Sequence, residues 1–254
     1  AGMSSIEWTQ ATWNPWHGCR KVSQGCKNCY MFRDKARYGQ DPNIVVRSKD
    51  ATFYAPLKWN EPRKVFTCSW SDFFIGEADA WRDEAFALMA LTPQHTYQVL
   101  TKRADRMLDW FTHADRPPVG TLKNKYWRQW CVWAAMSNSA ENRLACEAAY
   151  IWDWDEENGI YGEWPPPNVW LGVSVEDQKT ADERREPMRR LKELGWTIFV
   201  SYEPALGPID WAGWEFADQI IAGGESGPHA RPSHPDWFRG TLDFCQAANI
   251  AFFF

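Results

Sequence analysis

Three cysteines stand within eleven residues, spaced Cys19-x6-Cys26-x2-Cys29, in Gly18-Cys19-Arg20-Lys21-Val22-Ser23-Gln24-Gly25-Cys26-Lys27-Asn28-Cys29-Tyr30. Thiolates this close along a chain can converge on one metal. The glycines directly before Cys19 and Cys26 permit the tight turns that wrap a loop around a metal centre. Three buried free thiols are the plainer alternative at this spacing. Two metal readings compete. With His17 as a fourth ligand the set becomes Cys3His, a closed structural zinc site. An iron–sulfur cluster would take the three cysteines and leave one iron without a protein ligand, open to a small molecule. The other four cysteines, Cys68, Cys131, Cys146 and Cys245, show no close pairing and are expected as buried thiols.

Short apolar runs that would position such a loop recur along the chain. Strands are expected over residues 6–12, 64–69, 96–100, 169–174, 197–201, 219–222 and, less completely, 250–254. Helical patterns lie between them. One spans residues 79–91 with Trp81, Ala85, Leu88 and Met89 on one face. Others run through Arg106, Leu108 and Trp110, over 178–194 and over 236–248. Strands alternating with helices imply a parallel sheet, and apolar runs without polar alternation fit strands covered on both faces. Six or seven such units favour an α/β fold, a partial or near-complete (β/α) barrel of TIM type in a single domain over residues 1–254. Residues 117–167 break the rhythm with Trp127, Trp130, Trp133, Trp152, Trp154, Trp164 and Pro165-Pro166-Pro167. They are too long for a simple connection and are expected to be a partly helical, Trp-rich insertion capping one face.

Polar residues fall just beyond the apolar runs. Ser69, Ser71 and Asp72 follow the second, and Thr101, Lys102 and Arg103 the third. Ser174 and Glu176 follow the fourth, Ser201 and Glu203 the fifth, and Gly223, Gly224 and Glu225 the sixth. Each alone reads equally well as a helix cap or an exposed charge. On a parallel barrel, however, they converge with the cysteine loop over the C-terminal mouth, where barrel active sites lie. A structural zinc site has no reason to sit there, so the position favours the iron–sulfur reading.

Composition bounds the rest. The chain has 254 residues, a formal charge of −5 and 44% hydrophobic residues, ordinary for a globular protein. The length is close to the roughly 250 residues typical of such barrels. No apolar run approaches the ~18 residues of a membrane span. Without a signal-peptide pattern, and with an odd cysteine count, the expected setting is the reducing cytoplasm. Ala1-Gly2 ahead of Met3 reads as a cloning remnant. Eighteen tryptophans promise large apolar and stacking surfaces. Residues 1–50 hold eight basic and four acidic side chains, a net +4 within a chain of −5, and Arg20, Lys21, Lys27, Arg33, Lys35 and Arg37 crowd the cysteine loop against Asp34 alone. These charges read either as a solvated helix face balancing an anionic cluster, or as an attractor for a phosphate-bearing substrate. The acidic whole suits a nucleotide or a flipped base better than a long duplex footprint.

A three-cysteine loop after the first strand, with an aromatic residue beside the last cysteine, resembles the radical S-adenosylmethionine enzymes. Their usual spacing is C-x3-C-x2-C; the six-residue first gap here is a departure shared by some divergent members. The Gly25-Cys26-Lys27-Asn28-Cys29-Tyr30 ending is similar to the loop of spore photoproduct lyase and its relatives. From Trp13 to Phe254 the chain resembles a phage and prophage family marked by the three-Cys motif. The likeness is carried by Trp13-Asn14-Pro15-Trp16-His17-Gly18-Cys19, Ser71-Asp72-x-Phe74, Leu100-Thr101-Lys102-Arg103, Gly172-Val173-Ser174-Val175-Glu176 and Gly223-Gly224-Glu225-Ser226-Gly227. That family continues past the final Phe run with Lys-Gln-Trp-Gly, so the last strand is expected to be incomplete.

The resemblance implies a [4Fe-4S] cluster on Cys19, Cys26 and Cys29, with S-adenosylmethionine chelating the open iron. An electron donor would reduce the cluster, yielding a 5′-deoxyadenosyl radical that abstracts a substrate hydrogen. In place of the family's Gly-Gly-Glu, Ser71 and Asp72, with Ser69 beside them, would bind the methionine amine. Lys102 or Arg103, next to Thr101, would pair with its carboxylate. Ser174 and Glu176 would hold the ribose, and Tyr30 would support the adenine. Glu203, Gly223 and Gly224 complete the expected cofactor wall, and Glu225 would contact substrate. A nucleotide or nucleic-acid base is the favoured substrate, with no membrane involved. Two other readings stand beside this one. One is a zinc-stabilised, non-enzymatic protein that binds a partner through its Trp-rich insertion. The other keeps the cluster as a structural or redox element.

Overall fold

A computed structural model describes residues 6–112, Val132, Ala135, 153–155, 159–161 and 164–254. Its strands, in chain order, are β1 (Ala11–Trp13), β2 (Trp16–His17), β3 (Val46–Arg47), β4 (Lys64–Thr67), β5 (Thr96–Thr101), β6 (Asp153–Asp155), β7 (Gly159–Tyr161), β8 (Val169–Ser174), β9 (Thr197–Tyr202), β10 (Gln219–Ala222) and β11 (Ala251–Phe253). The described α-helices are α1 (Tyr30–Arg37), α2 (Asp50–Phe53), α3 (Asp79–Ala90), α4 (Ala104–Thr112), α5 (Gln178–Glu193) and α6 (Pro235–Ala248).

Seven strands form one sheet in the order β1-β4-β5-β8-β9-β10-β11, every neighbouring pair parallel. The order never reverses along the chain. Each new strand joins on the same side, which is how a barrel winds and a doubly wound open sheet does not. The sheet curls into a half-barrel whose edges, β1 and β11, do not pair with each other. Two antiparallel pairs stand apart from it, β2–β3 and β6–β7. The latter falls within the expected insertion, whose remaining residues up to 163, Val132 and Ala135 excepted, lie outside the described residues. At its end, Trp164 packs against Trp196 at 5.5 Å between ring centroids. Among the described residues, no helix is long and apolar enough to cross a membrane.

Side chains alternate between the two faces of the sheet. The convex face presents Val65, Tyr97, Val99, Leu171, Val173, Ile198, Val200 and Ile220 to Phe86 and Met89 of α3, Met107 and Phe111 of α4, Met188 and Leu191 of α5 and Cys245 of α6. This is the main core. The concave face carries Phe66, Leu100, Ser174, Phe199 and Ser201; Leu100 and Phe199 flank Gly172 in one row, and Ser174 pairs with Ser201 in the next. Phe199 fits because its neighbour is Gly172; a Cβ there would run into the ring.

Two expectations need correcting. The first strand starts at Ala11 rather than Ile6, because Thr9 closes a turn onto the Ile6 carbonyl and its hydroxyl bonds the Ala11 and Lys64 carbonyls. That turn lays Trp8 over Phe66, with ring centroids 4.8 Å apart. The tryptophans mostly build core rather than stacking surface: none of the thirteen whose side chains are described is largely exposed, and Trp13, Trp16, Trp196 and Trp214 are fully buried.

Gly172→Ala is expected to cost about 1–3 kcal/mol by overpacking against Phe199. Gly240→Ala inside α6, where an added Cβ meets open space, is expected to stabilise by up to about 1 kcal/mol. Urea unfolding of the two variants measures both.

Candidate functional site

The cysteine loop starts where β1 ends. Asn14 accepts the Trp70 N–H at 2.8 Å and donates to Ser69 Oγ at 3.1 Å, tying the chain after β1 to the chain after β4. The β2–β3 pairing then turns the backbone outward. Gly18, at φ +92°, leaves no room for a side chain against the Ile44 carbonyl. The Gly18 carbonyl accepts from Ser71 Oγ at 2.5 Å, and the Cys19 N–H donates to the Pro42 carbonyl at 2.9 Å. A short 3-10 turn, Gln24–Cys26, carries the second cysteine. The third is the N-cap of α1, so the three lie on one loop between β2 and α1.

The loop lies over a cavity of about 310 Å³. Its wall includes Cys19, Cys26, Cys29, Tyr30, Ser69, Ser71, Asp72, Thr101, Lys102, Arg103, Ser174, Ser201, Glu203, Gly224 and Glu225, with Trp8, Phe66, Phe32 and Leu100 among its apolar members. Of the expected site residues only Glu176 and Gly223 do not line it. The five strand ends and the loop therefore meet at one mouth.

Most of the charged groups at that mouth are already paired. Asp72, 6% exposed, accepts the Thr101 hydroxyl at 2.6 Å and the backbone N–H groups of Phe74 (2.9 Å) and Lys102 (2.8 Å). Arg103 Nη1 forms an ion pair with Asp72 at 2.9 Å, but it lies off the hydrogen-bonding direction and has no aligned acceptor among the described residues. Arg103 also holds the Arg20 carbonyl at 3.0 Å and bonds the Cys19 side chain. Burial and then Asp72 push the Cys19 thiol up to about 12, with Arg103 opposing them.

Glu176 is fully buried behind the loop rather than in the cavity. It accepts from Ser23 Oγ at 2.9 Å and pairs with Lys102 at 3.2 Å and Arg184 at 3.1 Å. Burial raises its carboxyl, but the two cations outweigh it and hold it below the ordinary range. The loop approaches so closely that a Cβ on Gly25 would stand 2.5 Å from Glu176 Cγ. Glu225 is likewise occupied. It pairs with Arg231, accepts the Arg231 backbone N–H at 2.8 Å, and accepts from Asn28 at 2.9 Å; Arg231 reaches on to the Gln24 carbonyl at 3.0 Å. This clasp holds the loop to the segment after β10, and Arg231 above all lowers the Glu225 carboxyl to about 2.

The basic residues of the loop are also partly committed. Arg20 pairs with Glu77 at 2.6 Å. Lys21 donates to the Lys27 carbonyl at 3.0 Å and lies over the Phe32 ring. Lys35 is buried, its Nζ 2.7 Å from His17 Nδ1, and His17 is not part of the cavity wall. Lys27 and Arg37 are exposed. Asn28, Arg184, Arg231 and Trp8 went unrecognised in the sequence. Asn28 stands within the quoted motif and could have been singled out; Arg231 carries no local signal.

Among the described residues, no three His, Cys, Asp or Glu side chains are gathered closely enough to grip an ion. The donor chemistry nevertheless fits an iron–sulfur cluster: three thiols share one cavity wall, none is in a disulfide, and His17 is turned to Lys35 instead of completing a zinc set. Cys68 and Cys245 are buried free thiols, as expected; Cys131 and Cys146 lie outside the described residues.

A family model described as "Protein of unknown function (DUF5131)" matches residues 3–254. No curated protein and no solved structure matches the chain.

Since Glu225 is held well below its unfolded value, its clasp contributes stability above pH about 4.5 that is lost as pH falls through about 2. Glu225→Ala leaves Arg231 unpaired and is expected to cost about 1–3 kcal/mol. Hydrogen exchange should show faster amides over residues 24–29 than in α3. Equal change in both regions would contradict a local clasp.

Proposed function

We propose, for a chain that belongs to the DUF5131 family of proteins of unknown function, a radical S-adenosylmethionine enzyme acting on a nucleotide or nucleic-acid base. One observation carries the reading: three free thiols on one loop share a cavity with the polar residues that end five parallel strands. Cys19, Cys26 and Cys29 would hold a [4Fe-4S] cluster, which when reduced supplies one-electron cleavage of S-adenosylmethionine and a carbon radical able to abstract hydrogen.

The chain's own residues bind and orient. Arg103, on the cavity wall and held by Asp72 at 2.9 Å, is the cation suited to the cofactor carboxylate, since a planar guanidinium can take a second anionic partner through its remaining N–H groups. Ser69 and Ser174 offer hydroxyls to the amine and ribose, and Tyr30, fixed by its hydroxyl on the Ser69 carbonyl at 2.5 Å, supports a ring from the loop side. Glu176 and Glu225 act as positioning residues, since both are spent holding the loop. An external electron donor is required, and the five free cysteines among the described residues suit a reducing cytoplasm, here that of a bacterium bearing a phage or prophage.

Anaerobic purification followed by iron, sulfide and absorbance analysis tests this, with dithionite and S-adenosylmethionine then added. The expected result is about four irons and four sulfides per chain and release of 5′-deoxyadenosine. Cys26→Ala should lose both cluster and product. One zinc per chain with no cleavage would sink the reading.

A further inference from the structure

The carboxylates at this mouth differ in what they still lack. Asp72, Glu176 and Glu225 each face a guanidinium or ammonium within 3.3 Å. Glu203, half-buried just beyond β9, has no Arg or Lys nitrogen within ion-pair distance among the described residues. It accepts only from the Ser201 hydroxyl, at 3.3 Å, and from the Trp8 side chain. The two oxygens of a carboxylate offer about four lone-pair sites, so these bonds leave capacity for further donors. Glu203 lines the cavity, and Gly223 makes room for it, since a Cβ there would run into Oε1. Beside it, Trp8 and Phe66 form an aromatic wall, their ring centroids 4.8 Å apart, and Ile6 and Leu100 extend it. A flat ring that brings N–H donors to the carboxylate and a face to the wall would satisfy both.

We propose that this part of the cavity reads guanine: the two oxygens of Glu203 accept the adjacent N1–H and N2–H groups of a guanine whose ring lies against Trp8 and Phe66. Among the common bases in nucleoside form, guanine alone carries two N–H donor groups side by side on its pairing edge. Adenine and cytosine place one donor next to an acceptor there, and uracil places one donor between two acceptors. Against a carboxylate each of those acceptors meets another acceptor, so Glu203 rejects the other bases as well as binding this one. The wall adds stacking that is indifferent to ring substituents, which leaves discrimination to Glu203. Burial raises the Glu203 carboxyl from its ordinary value, and two N–H donors from a bound ring would oppose that rise. The inference rests on the proposed function for its base-like substrate, and it needs neither cluster nor radical.

Calorimetric binding of guanosine, inosine, adenosine and cytidine to the full chain, with no reductant, tests it. S-adenosylmethionine is titrated in parallel. Guanosine should bind about tenfold or more tighter than the other three. Inosine keeps the N1–H but lacks the 2-amino group, so it isolates one of the two bonds. Glu203→Gln exchanges one acceptor for a donor at the same size. It should weaken guanosine about tenfold or more and leave inosine within about threefold, which also shows that the variant is folded. Trp8→Leu should weaken all four nucleosides by roughly tenfold. Three outcomes would overturn the proposal: no nucleoside binds, guanosine has no advantage over inosine, or Glu203→Gln weakens S-adenosylmethionine and spares guanosine. The last would mean that the carboxylate serves the cofactor. If guanosine binds as expected while 5′-deoxyadenosine never forms, the guanine site stands and only the radical chemistry falls.

Discussion

Asp72 is a carboxylate at 6% exposure, and satisfying it organises the mouth of the half-barrel. A charge so far from water needs donors on every side, because its desolvation is otherwise several kcal/mol. The donors come from the Thr101 hydroxyl, two backbone N–H groups and Arg103. Meeting the demand of this one side chain therefore pins the chain after β4 to the chain after β5. Its own carbonyl also accepts the Trp16 indole at 3.3 Å, which adds the segment after β1. Arg103, once drawn inward, lies against Cys19 and the Arg20 carbonyl. The first cysteine is thus positioned by a network that starts two strands away.

The rest of the loop is held by the same device repeated. Glu176 takes Ser23 and leaves no space for a side chain at Gly25. Glu225 takes Asn28, between the second and third cysteines, and through Arg231 the Gln24 carbonyl just before the second. Three carboxylates from three different strand ends each secure one stretch of the same loop. A loop with so little regular structure would otherwise sample many conformations, at about 1–2 kcal/mol of backbone entropy per residue fixed.

The strands were legible because parallel strands buried on both faces are unbroken apolar runs. Val169–Ser174 and Gln219–Ala222 occur where such runs predict them. Helices α3, α5 and α6 were legible from their apolar spacing to within a residue or two. The β2–β3 pair is only two residues per strand and has no period to detect. Positions of the polar residues could be read from their place after each run, but not their partners. Ser23 meets Glu176 across 153 residues and Asn28 meets Glu225 across 197, distances at which one sequence offers no pairing signal. Glu176 and Glu225, singled out from position alone, therefore have partners in the loop that no local pattern signals. The tryptophan count suggested stacking surfaces; the packing shows that large rings such as Trp13, against Phe53 and Tyr97, mostly fill the space behind the sheet.

Pairing within the wall also shapes what the cavity can attract. Lys102 and Arg103 are paired with Glu176 and Asp72, and Glu225 with Arg231, so these three wall ions and Asp72 each have a counter-charge in or behind the wall. Recognition at such a surface rests on directed donors and acceptors held in place beforehand rather than on a diffuse field. Arg103 Nη1 illustrates the point. Its position is set by the ion pair with Asp72 at 2.9 Å, and the Arg103 side chain lines the cavity, so an anionic group arriving there meets a cation already held in place. The carboxylate that orders the loop is in this way the same one that fixes Arg103 at the cavity wall.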